Sequence, residues 1–185
     1  MATGHADPQR RERILAATLD HIADEGVAGV SHRKIALRAD VPLGSMTYHF
    51  GGMDELLREA FTRFADQFVA VFELHLGRAG TPEEAREAVV ELIHLLSEGP
   101  RRELVLTQEL YTLAARRDEY RELTHAWMNR SRRLLEQHFD PDTARQLDAL
   151  IEGLSLHRSL DTEPHDRELT RLAVRRLTSA PGSGA

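Results

Sequence analysis

Apolar residues recur along this chain at intervals of three and four, the spacing of one face of a helix. Ile14, Leu15, Leu19 and Ile22 define a first helix from about Arg10 to Glu25, which Gly26 stops. Ser31 reads as the N-cap of a second helix ending near Ala39, with Ile35 and Ala36 facing inward. A third, from about Leu43 to Phe50, carries Pro42 at its first turn and an inner face of Met46 and Phe50. Asp54 and Glu55, well placed against the helix macrodipole, open a fourth after Gly51-Gly52. It runs to about Leu76, with Phe61, Phe64, Phe68 and Phe72 at helical spacing.

Start signals continue downstream. Thr81-Pro82-Glu83-Glu84 has the form of a capping box and predicts a fifth helix to about Glu98. Gly99-Pro100 stops it and begins a sixth, to about Arg116. A seventh covers about Glu119 to His138, Asp140-Pro141 begins an eighth to about Leu160, and Pro164 begins a ninth to about Leu177. No segment alternates as a strand would, so the expected fold is all-α with nine helices. Residues 1–9 and 179–185 read as disordered ends.

Composition narrows the function. The chain has 185 residues and a formal net charge of −6. Acids and bases balance up to Gly52, so the later chain carries the whole excess, and a neutral head with basic spots can still approach a polyanion. There is no cysteine, which excludes disulfides and thiolate sites and fits a cytoplasmic protein. No apolar run is long enough to predict a membrane span, and MATGHADPQRR lacks a signal-peptide core. Histidines and carboxylates show no metal-binding spacing, and no nucleophile grouping or phosphate loop appears. Neither an enzyme nor a cofactor is expected.

Two short helices joined by a tight turn, behind a longer supporting helix, form a helix-turn-helix pattern. The third helix is short because only its first turns need enter a major groove while its other face packs. With Met46 and Phe50 inside, Leu43, Gly44, Ser45, Thr47, Tyr48 and His49 remain for base edges and phosphates of double-stranded DNA. Ser31 can donate to a phosphate as well as cap, and Arg33 and Lys34 lie close by. Packing for Tyr48, capping for His49 and simple solvation for Arg33 and Lys34 are the competing readings. Arg10, Arg11 and Arg13 suggest a minor-groove arm.

The stretch GVAGVSHRKIALRADVPLGSMTYHFGGMDELL resembles the DNA-binding domain of the TetR family of transcriptional repressors. The resemblance rests on the Gly26-to-Ser31 lead-in, Arg33-x-Ile35-Ala36, the Val41-Pro42 turn, Tyr48-His49-Phe50 and Glu55-Leu56-Leu57. It covers Arg10 to Leu57 and implies a DNA-binding domain over 10–52 and a ligand-binding and dimerisation body over 53–178. Two positions depart from the family pattern. Asp40 stands where glycine is frequent, and Met53 where a phosphate-binding lysine is frequent. Asp tolerates the left-handed conformation, so the turn is expected to survive. Loss of the lysine shifts reliance to helix N-terminal amides and hydroxyls.

The resemblance also implies a homodimer through helices eight and nine, with Leu147, Leu150, Ile151, Leu154, Leu169 and Leu172 at the interface, or stripes that pack internally. A small, mostly apolar effector would meet polar handles in an apolar pocket. The candidates are Gln108, Glu109, Tyr111 and Thr112 on helix six, Trp127 and Met128 on helix seven, and Phe64 and Phe68 on helix four. Core packing of the phenylalanines and a solvent-facing Glu109 are the alternatives. The functional expectation is a repressor released from a pseudo-palindromic operator by its ligand. A regulator or activator whose ligand enhances DNA binding stays open. So does a helical small-molecule carrier with a vestigial head.

Overall fold

The computed structural model describes residues 9–163 and 166–179. Among the described residues there are nine α-helices and no strand: α1 Arg10–Glu25, α2 His32–Arg38, α3 Gly44–His49, α4 Met53–Leu76, α5 Pro82–Glu98, α6 Arg101–Ala114, α7 Asp118–Leu135, α8 Pro141–Leu160 and α9 Arg167–Thr178. A single 3-10 turn, Val27–Gly29, joins α1 to α2. The expected residues 1–8 and 180–185 of the two ends lie outside the described residues.

Local chemistry sets the helix limits. Gly26 ends α1 at φ 73°, with its amide donating to the Ile22 carbonyl. The Ser31 hydroxyl accepts from the Lys34 amide at 3.3 Å and so caps α2. In α5 the capping box closes both ways, Glu84 amide to Thr81 hydroxyl and Thr81 amide to Glu84 carboxylate. The Asp140 carboxylate accepts from the Asp142 and Thr143 amides ahead of α8, and the Thr143 side chain first, then these amides, hold its carboxyl below the usual range. Helix nine starts at Arg167 rather than at Pro164, because Asp166 is the residue whose carboxylate accepts from the Glu168 amide. Pro164 itself lies outside the described residues.

The chain divides into two compact units. One groups the chain up to Asp66 with Arg102–Thr124; the other groups Gln67–Arg101 with the chain from His125 onward. The division therefore cuts α4 and α7 and places α6 with the helix-turn-helix.

In the first unit, the buried apolar side chains include Ile14, Leu19 and Ile22 of α1, Ile35 of α2, Met46 of α3 and Phe50 just after it, Leu56 and Phe61 of α4, and Leu106 and Leu110 of α6. Polar links join distant segments of this unit. Arg11 pairs with Glu59 and stacks over the Phe50 ring at 5.4 Å. Arg63 pairs with Glu12, and Arg102 donates to Asp20 at 2.9 Å. Arg117 donates to Asp54 at 3.0 Å.

In the second unit, Phe72, Leu76, Val89, Leu92, Ile93, Leu135, Ala144, Leu147, Ile151 and Val174 form one apolar cluster. Arg171 and Arg167 of α9 reach Glu87 of α5, and the Arg171 hydrogen bond above all holds the Glu87 carboxyl below its usual range. The His138 ring meets the Leu76 carbonyl at 3.0 Å and so occupies an acceptor at the end of α4.

Candidate nucleic-acid interface and effector-binding residues

The helix-turn-helix turn runs through Asp40 at φ 52°, the one non-glycine residue with positive φ among the described residues. The departure from glycine is thus absorbed by a residue whose short polar side chain tolerates this region. The Ala39 amide donates to Ile35 and the Val41 amide to Ala36, closing the turn.

Along α3 and its N-cap residue, the outer face holds Leu43 at 54% exposure, Gly44, Thr47 and Tyr48 at 78%, with His49 half-buried. The Tyr48 and His49 rings meet edge to face at 4.9 Å. Packing is therefore not what retains the Tyr48 ring. Ser45 departs from the sequence expectation. It is 6% exposed and lies on the inner side beside Met46, because position 45 adjoins the packed stripe of so short a helix. It is not available to a base edge as the helix stands.

The nearby bases divide. Arg33 is exposed and, among the described residues, has no ion pair. Lys34 instead binds Glu25 at 2.6 Å and the Gly29 carbonyl at 3.1 Å. Its hydrogen bond holds the Glu25 carboxyl below the usual range. A phosphate would have to compete with that carboxylate. Arg10, Arg11 and Arg13 do not form an arm; they are the first turns of α1, and Arg11 is committed to Glu59. At the start of α4, Met53 is half-buried and the Gly51 amide donates to Glu55 at 2.6 Å. One of the amides expected to replace the missing lysine is thus satisfied internally.

The effector candidates fall in both units. In the first, Phe64 is buried, Gln108 and Tyr111 are half-buried, and Thr112 is exposed on α6, so Thr112 lines no enclosed site there. Glu109 is neither a solvent-facing acid nor an open handle. Its carboxylate accepts from the Val27 amide at 3.2 Å and occupies the space beside Gly26. It thereby ties α6 to the segment that leads into α2. In the second unit, Phe68 packs edge to face on Trp127 at 4.9 Å and against Phe72 at 5.6 Å. Trp127 and Phe72 are buried, whereas Phe68 and Met128 are half-buried.

The proposed interface also separates. Leu147 and Ile151, expected at the interface, are instead buried in the internal cluster of the second unit and present almost no surface. Leu150 and Leu154 pack against that cluster with part of their surface open. Leu169 and Leu172 are 65% and 41% exposed and remain unburied apolar surface. Sequence reasoning missed Arg102, Asp20, Arg117 and Asp54, whose pairings span 63 and 82 residues. No local pattern marks such partners. It also missed Arg158, which donates from α8 to the His94 ring of α5 at 2.6 Å.

Comparison with known proteins resolves the family. Residues 14–60 match the bacterial regulatory proteins of the tetR family, and residues 80–180 match the tetracyclin repressor-like C-terminal domain. A transcriptional regulator of Streptomyces coelicolor A3(2) is 70% identical, with a TM-score of 0.89 over 94% of this chain and all of that one. The multidrug binding protein EbrR, solved with ethidium, is 36% identical with a TM-score of 0.75, covering 92% of this chain and 99% of that one. EbrR has also been solved with proflavin and with malachite green. The regulator BetI 1 of Chromohalobacter salexigens is 27% identical over 173 residues, 89% of this chain and 86% of its own. This chain therefore belongs to the TetR family of transcriptional regulators, with a DNA-binding N-terminal domain and a ligand-binding C-terminal domain.

Proposed function

We propose that the protein is a homodimeric repressor whose two heads, residues 10–52, occupy successive major grooves of a pseudo-palindromic operator. The observation that carries this reading is the outer face of α3, where Leu43, Thr47 and Tyr48 stay exposed while Met46 and Phe50 are buried. Tyr48, His49, Ser31 and Arg33 are the phosphate-side contacts, with Lys34 joining if it leaves Glu25. The exposed leucines of α9, Leu169 and Leu172, with the open parts of Leu150 and Leu154, supply the dimer surface.

The body, residues 53–178, senses a flat aromatic molecule, lipophilic cations included. EbrR binds ethidium, proflavin and malachite green, and the ring group Phe68, Phe72 and Trp127 in this chain is suited to the same chemistry. The half-buried Phe68 is the member a ligand reaches first. Ligand and operator oppose each other, so each must weaken the other by the same factor.

The test starts by selecting duplexes from a random library, then titrates the best with protein in the presence and absence of proflavin. The expected result is a palindromic consensus and a proflavin-dependent loss of binding. DNA binding that strengthens with proflavin would replace repression-by-release with co-repression. Proflavin binding by a protein that enriches no DNA would favour a carrier.

A further inference from the structure

We infer that Leu43 and Thr47 form an apolar face on α3 that reads thymine methyl groups. The inference rests on the DNA-binding reading above and names what its recognition helix selects. Direct readout of guanine or adenine needs side-chain donors aimed at the groove. The entry turn of α3 offers none. Leu43 is exposed and has only carbon in its side chain, Gly44 has no side chain, and Ser45 is buried.

Thr47 completes the pattern. Its hydroxyl donates to the Gly44 carbonyl at 3.2 Å, which spends its one proton inside the helix. The group it has left for apolar contact is its methyl. Leu43 and Thr47 are four residues apart and so share one helix face. Between them nothing lies within 4 Å of the place a Cβ would occupy at Gly44, so a base edge can come close to the backbone there. The surface presented is a short apolar stripe beside open backbone. In a major groove its match is the C5-methyl of thymine, the apolar feature among the base-edge groups. Tyr48 and His49 follow Thr47 on α3 with polar groups suited to phosphates, which fix register without reading sequence.

The experiment uses the full-length protein and its selected duplex. Each thymine is replaced in turn by deoxyuridine, which removes one methyl group and keeps pairing. For wild type, substitution at one or two positions in each half-site should weaken binding about fourfold, the contribution of burying one methyl group. Leu43→Ala should bind the thymine and uracil duplexes equally at one of those positions, and Thr47→Ser should lose sensitivity at its neighbour. The salt dependence should stay unchanged in both, because no phosphate contact is lost. Leu43 and Thr47 are exposed, so neither variant removes core packing. Uniform affinity across all deoxyuridine duplexes, or full methyl sensitivity retained by Leu43→Ala, would overturn the inference while leaving DNA binding intact. Failure to enrich any duplex would instead overturn the regulatory reading beneath it.

Discussion

Single side chains in this protein take their roles from which face of a short helix they occupy. Tyr48 is exposed to 78%, so its ring contributes little to folding, and its hydroxyl is a free donor for a phosphate. Tyr48→Phe is expected to weaken every duplex by a similar factor without changing the preferred base, read by titrating selected and scrambled DNA. Ser45 behaves oppositely. Because it is buried, Ser45→Asn should overpack the inner face and cost about 1–3 kcal/mol of stability, seen in thermal melting. Gly26 shows how one residue carries two constraints. Its φ of 73° disfavours any side chain, and a Cβ would come within 2.9 Å of a Glu109 carboxylate oxygen. Gly26→Ala should therefore destabilise the protein by roughly 1 kcal/mol or more in thermal melting, in contrast to the small gain glycine replacement gives at unstrained sites.

At the scale of elements, pairs of helices are held by polar contacts between residues far apart in sequence. Where α5 meets α8, the Arg158 guanidinium donates to Nε2 of His94, and Nδ1 of the same ring faces Glu98 at 3.5 Å. That arrangement requires a neutral imidazole. Burial, aided by Arg158 and Arg167, holds the His94 ring below the usual histidine value, against the opposing pull of Glu98. The unfolded chain thus takes up the proton first as pH falls. Stability from this group is complete above about pH 6.5 and declines as pH drops below it. The melting temperature of wild type should fall between pH 7 and pH 5.5 more steeply than that of His94→Gln, whose amide oxygen can still accept from Arg158. At the start of α4, Met53 is half-buried, and the Gly51 amide is already used by Glu55. Met53→Lys should tighten binding to all DNA and steepen its salt dependence by nearly one counterion, measured by salt titration.

For the molecule as a whole, assembly is the property that separates interior from interface. Leu147 lies inside the cluster of the second unit, and Leu172 is partly open on α9. Leu147→Glu buries an unpaired charge and should lose roughly 3 kcal/mol or more, unfolding the protein rather than its dimer. Leu172→Glu should keep its melting curve within about 1 kcal/mol yet shift the mass seen by light scattering from dimer to monomer. Operator affinity should fall with it, since a lone head no longer raises the local concentration of a second. Wild type that is monomeric at micromolar concentration would refute the dimer.

Helix positions, their order and the identity of the head were legible in the sequence, because capping residues, glycine stops and apolar spacing act within a few residues of one another. Thr81, Asp140 and Gly26 each do locally what their type permits, and the turn at Asp40 needed nothing beyond its own backbone. The site was legible only in part. Which side of a six-residue helix holds Ser45, and whether Leu147 or Leu172 stays open, depends on which neighbours arrive from elsewhere in the chain. Glu109 is the sharpest case. Its sequence context, an acid within the apolar stretch of α6, fits solvent or a ligand equally well, and only the approach of a segment 82 residues earlier turns it into a clamp on the Val27 amide. Periodicity orients a helix toward some core, but long-range contacts decide which core, and with it which of its groups remain for DNA, effector or partner.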